Sequence, residues 1–114
     1  MVKYIDRETL KSRLDAGAPV YVVEVLQPKE FAKGHIPGAI NIPFTKMTSE
    51  ARKRFSPQDE IVLYCHDPQC QASTRAAEKL EKLGYTNLYE YDGGKEDWKA
   101  AGYPFEYEPP ASEK

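Results

Sequence analysis

Short runs of β-branched and apolar residues alternate with helical segments along almost the whole chain, and this alternation restricts the fold more than any other feature. The clearest strand patterns are VYVVEV at 20–25 and EIVLYC at 60–65, and shorter ones are AINIP at 39–43 and NLYEY at 87–91. Strands that are separated by helices usually form a parallel sheet with helices on both faces. The sequence therefore predicts a three-layer α/β domain.

The helices are predicted from caps and from apolar spacing between these strands. Asp6 is the expected N-cap of a first helix that Gly17 ends. Ser73 is the expected N-cap of STRAAEKLEKLG at 73–84, in which the apolar residues recur on one face. Shorter helical segments are predicted at 28–34, 48–55 and 94–102.

Length and charge restrict the possible functions. The chain has 114 residues, which suits one domain, predicted at 1–106 with a flexible tail at 107–114. The net charge of −2 and the lack of a basic patch argue against nucleic-acid binding. No apolar stretch is long enough for a membrane span, and the N-terminus lacks the apolar core of a secretion signal. We therefore expect a cytoplasmic protein, and nothing in the sequence calls for a cofactor.

Both cysteines lie in the segment YCHDPQCQASTRAA at 64–77. Cys65 ends a predicted central strand, and parallel sheets carry their chemistry at the carboxyl ends of strands. The loop N–H groups and the start of the next helix would stabilise a thiolate there, with His66 and Arg75 as further sources of positive charge. The position thus favours a reactive thiol, although a strand-end cysteine can also be a small buried apolar residue.

Other roles for the cysteines have less support. A structural zinc site needs four ligands, usually supplied as close Cys or Cys/His pairs. Here it would have to use every Cys and His of the chain, namely Cys65, Cys70, His66 and His35, so no metal is predicted. A permanent disulfide is disfavoured in the cytosol, whereas a transient one in which Cys70 resolves an oxidised or persulfurated Cys65 stays open. Cysteine phosphatases need an arginine six positions after the cysteine, with five residues between the two. That position is Gln71 for Cys65 and Ala76 for Cys70, so phosphatase activity has little support.

Three segments, in order along the chain, resemble the rhodanese-like domain family. They are VVEV with PKEFAKGHIPGAINIP, IVLYC with STRAAEKLEKLGY, and LYEYDGGKEDWKAAGYP, and together they run from about residue 4 to 104. The resemblance implies a rhodanese-like three-layer domain with a central parallel five-stranded sheet. It also implies sulfurtransferase activity, in which a cysteine takes a sulfane sulfur from a donor, becomes a persulfide and passes the sulfur to a thiophilic acceptor.

The resemblance assigns roles to individual residues. Cys65 matches the family's nucleophile, and the loop N–H groups from 66 to 73 would hold the persulfide. The loop candidates are His66, Asp67, Pro68, Gln69, Cys70, Gln71, Ala72, Ser73 and Arg75. The candidates for structural roles are Glu24, Glu30, His35, Gly38, Gly93, Gly94 and Trp98. The implied donors are thiosulfate, polysulfide or a low-molecular-weight persulfide, and the implied acceptors are a thiol or a protein.

The loop departs from the family pattern. It is two residues longer than usual, and Ala72 stands where the family has an arginine, so weak thiosulfate activity and a larger donor are expected. Cys70 is an alternative nucleophile, since an arginine lies five positions after it. Two other functions stay open: a non-catalytic rhodanese-fold binding or regulatory module, and a thiol redox switch that uses Cys65 and Cys70.

Overall fold

A parallel sheet forms the centre of the domain, and the strand that precedes Cys65 lies in its middle. The computed structural model describes residues 2–107, and its five strands are ordered β1, β5, β4, β2, β3 with every neighbouring pair parallel. This confirms the predicted α/β fold with a parallel five-stranded sheet. The strands are β1 (Lys3–Tyr4), β2 (Val20–Glu24), β3 (Ile40–Asn41), β4 (Glu60–Tyr64) and β5 (Asn87–Tyr91).

Helices cover both faces of the sheet. The α3 and α4 face buries a cluster that includes Ile61, Leu63 and Leu80, and the opposite face buries one that includes Leu10, Val62 and Trp98. Successive residues of β4 alternate between these two clusters, because side chains along a strand point to opposite faces. The helices are α1 (Arg7–Asp15), α2 (Pro28–Ala32), α3 (Met47–Arg54), α4 (Ala72–Lys82) and α5 (Gly94–Ala100), and a 3-10 turn at Phe44–Lys46 precedes α3.

Two local predictions were tested directly. The Asp6 cap is confirmed, because its Oδ1 accepts the Thr9 N–H at 2.8 Å. The Ser73 cap is wrong: α4 begins at Ala72 after Gln71, and the Ser73 side chain is buried in the first turn. The sequence also missed β1, because two residues are too few for an alternating pattern to be visible.

The C-terminal part of the chain packs back on the segment around His35. His35 and Glu106 form an isolated antiparallel bridge through two main-chain hydrogen bonds of 2.8 Å. Of the predicted tail at 107–114, only Tyr107 lies within the described residues, and it is exposed. Within residues 2–107, no helix has the length and apolar character needed to cross a membrane.

The start of α5 holds the residues that follow β4. The Lys95 N–H donates to the Cys65 carbonyl at 3.0 Å, and the Glu96 N–H donates to the His66 carbonyl at 2.8 Å. Gly94 makes this approach possible, because its φ is +67° and a Cβ there would lie 2.6 Å from the Cys65 carbonyl oxygen. Gly93 has an ordinary helical φ of −63°. Of these two glycines, both of which were candidates for structural roles, Gly94 is therefore the one whose backbone conformation requires glycine.

Gly94→Ala tests this close packing, with Gly102→Ala as a matched control. Gly102 also has a positive φ, +77°, but a Cβ there would meet no atom within 4 Å. We expect the control to lose about 1 kcal/mol of unfolding free energy from backbone strain, and Gly94→Ala to lose at least about 2 kcal/mol more from the collision. Urea unfolding measures both values, and equal losses would contradict the role given to Gly94.

Candidate active site

Cys65 lies directly after β4, at the carboxyl edge of the sheet. Its side chain is 1% exposed and belongs to the cluster under α3 and α4. Its carbonyl is held by α5, and the residue before it, Tyr64, accepts the Val25 N–H at 3.2 Å through its own carbonyl. The backbone at Cys65 is thus held from β2 on one side and from α5 on the other.

Cys65 is joined to Cys70 by a disulfide. The two Cα atoms are 6.2 Å apart, which is within the range that a disulfide spans. Cys70 is only partly buried, and it packs against the same cluster that contains Cys65. The sequence disfavoured a permanent disulfide and left a transient one between these two cysteines open, and the structure shows the two sulfur atoms joined.

Asp67 shapes the loop between the two cysteines. Its Oδ1 accepts the Gln69 N–H at 3.0 Å and the Cys70 N–H at 3.1 Å, and its carbonyl also accepts the Cys70 N–H at 3.1 Å. Aspartate commonly closes a turn in this way. Two of the amides that were expected to hold a persulfide are therefore bound to Asp67 in this disulfide form.

The first turn of α4 is tied to β5. Ser73 Oγ and Thr74 Oγ1 donate to Glu90 Oε2 at 3.1 and 2.6 Å, and Glu90 is buried. Gln71 and Arg75 are exposed, as are Pro68 and Gln69. The end of the loop is thus fixed through Ser73, while most of its other side chains face solvent.

A buried acidic network lies beneath the loop on the opposite face of the sheet. Glu24 is fully buried, accepts the Tyr64 hydroxyl at 2.8 Å on Oε1, and has the Lys95 ammonium 3.0 Å from Oε2. Oε2 makes no aligned hydrogen bond within residues 2–107, so Lys95 compensates it by charge. Burial raises the pKa of Glu24 above its ordinary value of 4.5, and the Tyr64 hydrogen bond and the Lys95 charge oppose this only in part.

Lys95 connects this network to the segment 28–35. Its ammonium also donates to the Glu30 carbonyl at 2.7 Å, and the Glu30 carboxylate lies 3.7 Å from His66 Nε2. His35 Nδ1 lies 3.0 Å from the Phe31 carbonyl, and the His35 ring stacks on Phe31. These contacts favour a scaffold role for His35 over that of a general base.

Gly38 and Trp98 also make contacts that hold the chain in place. The Gly38 N–H donates to Glu106 Oε1 at 3.0 Å. Trp98 is buried, donates from Nε1 to the Pro104 carbonyl at 2.8 Å, and packs edge-on against Tyr91 and Tyr103. These contacts favour packing for Trp98 over a substrate platform.

An open groove of about 690 Å³ runs beside the loop. Its lining combines charged and aromatic side chains, and neither Cys65 nor Cys70 contributes to it. The lining residues nearest to Cys65 in the chain are His66 and Asp67, and others are Glu30, Lys33, Lys95, Tyr103 and Tyr107. A molecule in this groove would therefore lie next to the loop and not over the sulfur atoms.

Comparison with known proteins identifies the family. The sequence model of the rhodanese-like domain family matches residues 6–101 of this chain. The chain belongs to the rhodanese-like domain family. The solution structure of the rhodanese-like domain of the Anabaena protein Alr3790 has a TM-score of 0.85 and 28% identity, and the match covers 97% of this chain and 86% of that one.

Curated relatives of this rhodanese-like chain differ in name and size. A sulfurtransferase of Allochromatium vinosum is 32% identical over 105 residues, which are 91% of this chain and 94% of that protein. The HTH-type transcriptional regulator Rv0324 of Mycobacterium tuberculosis is 34% identical over 100 residues, 88% of this chain but 43% of that protein. The chain spans only 43% to 59% of three such relatives, so the rhodanese-like fold occurs there within longer proteins.

Sequence reasoning missed two residues that shape the site, Lys95 and Glu90, and gave a third, Asp67, no specific role. Asp67 was a loop candidate without a role, although an Asp-Pro pair in a loop is a recognised turn signal. Lys95 was not singled out, but an acidic residue in the otherwise apolar run VYVVEV requires a nearby cation when the strand is buried. Glu90 is a second buried acidic residue, within NLYEY, and its carboxylate is compensated by hydrogen bonds from the hydroxyl groups of Ser73 and Thr74.

Substitutions at Asp67 test whether its carboxylate positions Cys70. Asp67→Asn keeps an oxygen that can accept both N–H groups, whereas Asp67→Ala removes it. We expect Asp67→Ala to slow closure of the Cys65–Cys70 disulfide about tenfold, because lost hydrogen bonds of about 1.4 kcal/mol correspond to that factor. Intact mass, followed after adding oxidised glutathione to reduced protein, measures closure. Equal rates for wild type and Asp67→Ala would contradict this role, as would an Asn variant as slow as the Ala variant.

Glu24→Gln tests the raised pKa of the buried carboxylate. Since the folded state binds this proton more tightly than the unfolded state, the contribution of Glu24 to stability falls as the pH rises from about 4.5 through the folded pKa. The Gln variant lacks this proton, so its unfolding free energy should improve relative to wild type across that interval. Urea unfolding with the disulfide intact, at several values between about pH 4 and pH 8, measures the difference. Parallel curves would contradict the raised pKa.

Proposed function

We propose that this chain is a sulfurtransferase that carries sulfane sulfur as a persulfide on Cys65 and passes it to a thiol or a protein. The observation that carries the proposal is the position of Cys65, directly after the central strand β4, with its carbonyl held by the Lys95 N–H in the first turn of α5. Membership in the rhodanese-like family and the similarity to a protein named sulfurtransferase support it.

The disulfide must open before the reaction can begin. A thiol reductant would cleave the Cys65–Cys70 bond by thiol–disulfide exchange and leave Cys65 as a thiolate. That thiolate attacks the outer sulfur of the donor, and the remainder of the donor leaves with the electron pair of the broken bond. An acceptor then attacks the outer sulfur of the persulfide, and Cys65 departs as a thiolate.

Helix α4 and the loop would stabilise the anion formed on Cys65. The first N–H groups of a helix lack partners within it and carry a partial positive charge. Reduction would also free the loop from the constraint of the disulfide, so that its amides can turn toward the sulfur. Arg75, in the first half of α4, is a further candidate for positive charge near the donor.

The donor is expected to differ from thiosulfate. Ala72 occupies the position where the family has an arginine, so a doubly charged donor lacks a charge-assisted hydrogen bond worth about 1.5–3 kcal/mol, or one to two decades in binding. The longer loop, without that arginine side chain, would admit a larger donor, such as a polysulfide or a low-molecular-weight persulfide.

Mass spectrometry of two single-cysteine variants tests the proposed function. Reduced Cys70→Ser should gain about 32 Da on Cys65 when mixed with a sulfane donor, and an added thiol should remove this mass. Cys65→Ser should gain nothing and should have no turnover. If Cys70→Ser takes up no sulfur from thiosulfate, polysulfide or glutathione persulfide, the proposal is wrong; sulfur found on Cys70 of Cys65→Ser would make Cys70 the nucleophile.

The bonded cysteines favour a second candidate function, a thiol redox switch. In that case an oxidant would close the Cys65–Cys70 bond and a thiol would reopen it, with no sulfur transferred. The two functions differ in the uptake of sulfur by Cys70→Ser, which a pure switch does not need. A binding module without catalysis would instead keep its function in Cys65→Ser.

A further inference from the structure

We propose that Cys70 resolves the persulfide on Cys65, so that the chain can release its sulfur as sulfide and close the disulfide seen in the structure. This inference rests on the proposed function, since it needs a persulfide on Cys65. It adds a second product, sulfide, and a second partner, a thiol or dithiol reductant that reopens the disulfide.

The bonded atoms in the structure are the two atoms that this step would join. The Cys70 thiolate attacks Sγ of Cys65, the bond between Sγ and the outer sulfur breaks, and the outer sulfur leaves with the electron pair as hydrosulfide. The two cysteines are oxidised to a disulfide, and the sulfane sulfur is reduced to sulfide, so no outside oxidant is required. Hydrosulfide is a weaker base than a cysteine thiolate, which favours its departure.

The backbone around both cysteines is already arranged for this bond. The Cys65 carbonyl is fixed by the Lys95 N–H, and the Cys70 N–H is fixed by Asp67. With Cα atoms 6.2 Å apart, the sulfur atoms can meet without displacement of β4 or α4. An attacking group held in place in the same chain has a large advantage over a thiol that diffuses in from solution.

The two cysteines differ in their exposure to solvent, and this difference indicates which sulfur atom a reductant attacks. In the disulfide form Cys65 is 1% exposed, so an outside thiol has poor access to its Sγ until the bond has opened. Cys70 is partly buried in a loop whose neighbours Pro68, Gln69 and Gln71 are exposed. A reductant would therefore attack the sulfur of Cys70, and the leaving group would be the Cys65 thiolate, which returns to its sulfur-accepting form. A second thiol, from the same dithiol or from another molecule, then displaces the reductant from Cys70 as a disulfide and leaves Cys70 as a free thiol.

A single-turnover experiment tests the resolving step. Protein is reduced, freed of reductant and kept without oxygen, and then mixed with an aryl thiosulfonate, whose leaving group is a sulfinate and not a thiol. We expect wild type to release about one sulfide per chain and to end about 2 Da below the reduced mass. Cys70→Ser should keep an added mass of about 32 Da, with sulfide release at least about tenfold slower.

The controls separate this inference from the proposed function. Cys70→Ala repeats the loss of the thiol with a different side chain, and circular dichroism checks that both variants are folded. If Cys70→Ser is loaded but wild type keeps its persulfide and releases no sulfide, the resolving step is wrong and the proposed function stands. Sulfide release from Cys70→Ser at the wild-type rate also overturns the inference. If neither protein takes up sulfur, both proposals fail.

Discussion

The pairing of β4 with a parallel neighbour on each side is the constraint on which the candidate site depends. Residues 60–64 of β4 pair along their whole length with β2 and with β5, so the strand cannot shift without breaking two ladders. Because successive side chains of a strand point to opposite faces, the register of β4 also fixes the face of the sheet on which Cys65 lies. The α5 contact to the Cys65 carbonyl adds a third support at the end of the strand.

Much of the fold could be predicted from the sequence, because strong local signals and the global arrangement agree. The runs 20–25 and 60–65 are β-branched and short, and the apolar face of 73–84 is clear, so strand and helix were distinguishable. β1 was missed because two exposed residues have no such pattern, and it forms only because β5 offers it a partner. The Ser73 cap was wrong because the buried Glu90 carboxylate, 17 positions away, competes for the Ser73 hydroxyl.

The candidate site was predictable in its position but not in its bonding. The strand end located Cys65, and the loop length located Cys70, yet whether the sulfur atoms meet depends on how Asp67 turns the chain between them. The Glu24 and Lys95 pair shows the same limit, since its two members are 71 positions apart in the chain. Contacts of this kind depend on the packed sheet, and no local pattern specifies them.

The sheet ends at strands of only two residues on both sides, β1 and β3. An edge strand offers unpaired main-chain groups to other molecules, and long exposed edges invite intermolecular pairing. Here each edge strand has only two residues, so a second chain could form very few main-chain hydrogen bonds with it. The domain can therefore lie beside another sheet, in the same chain or in a second copy, while offering few main-chain groups for pairing through its edges.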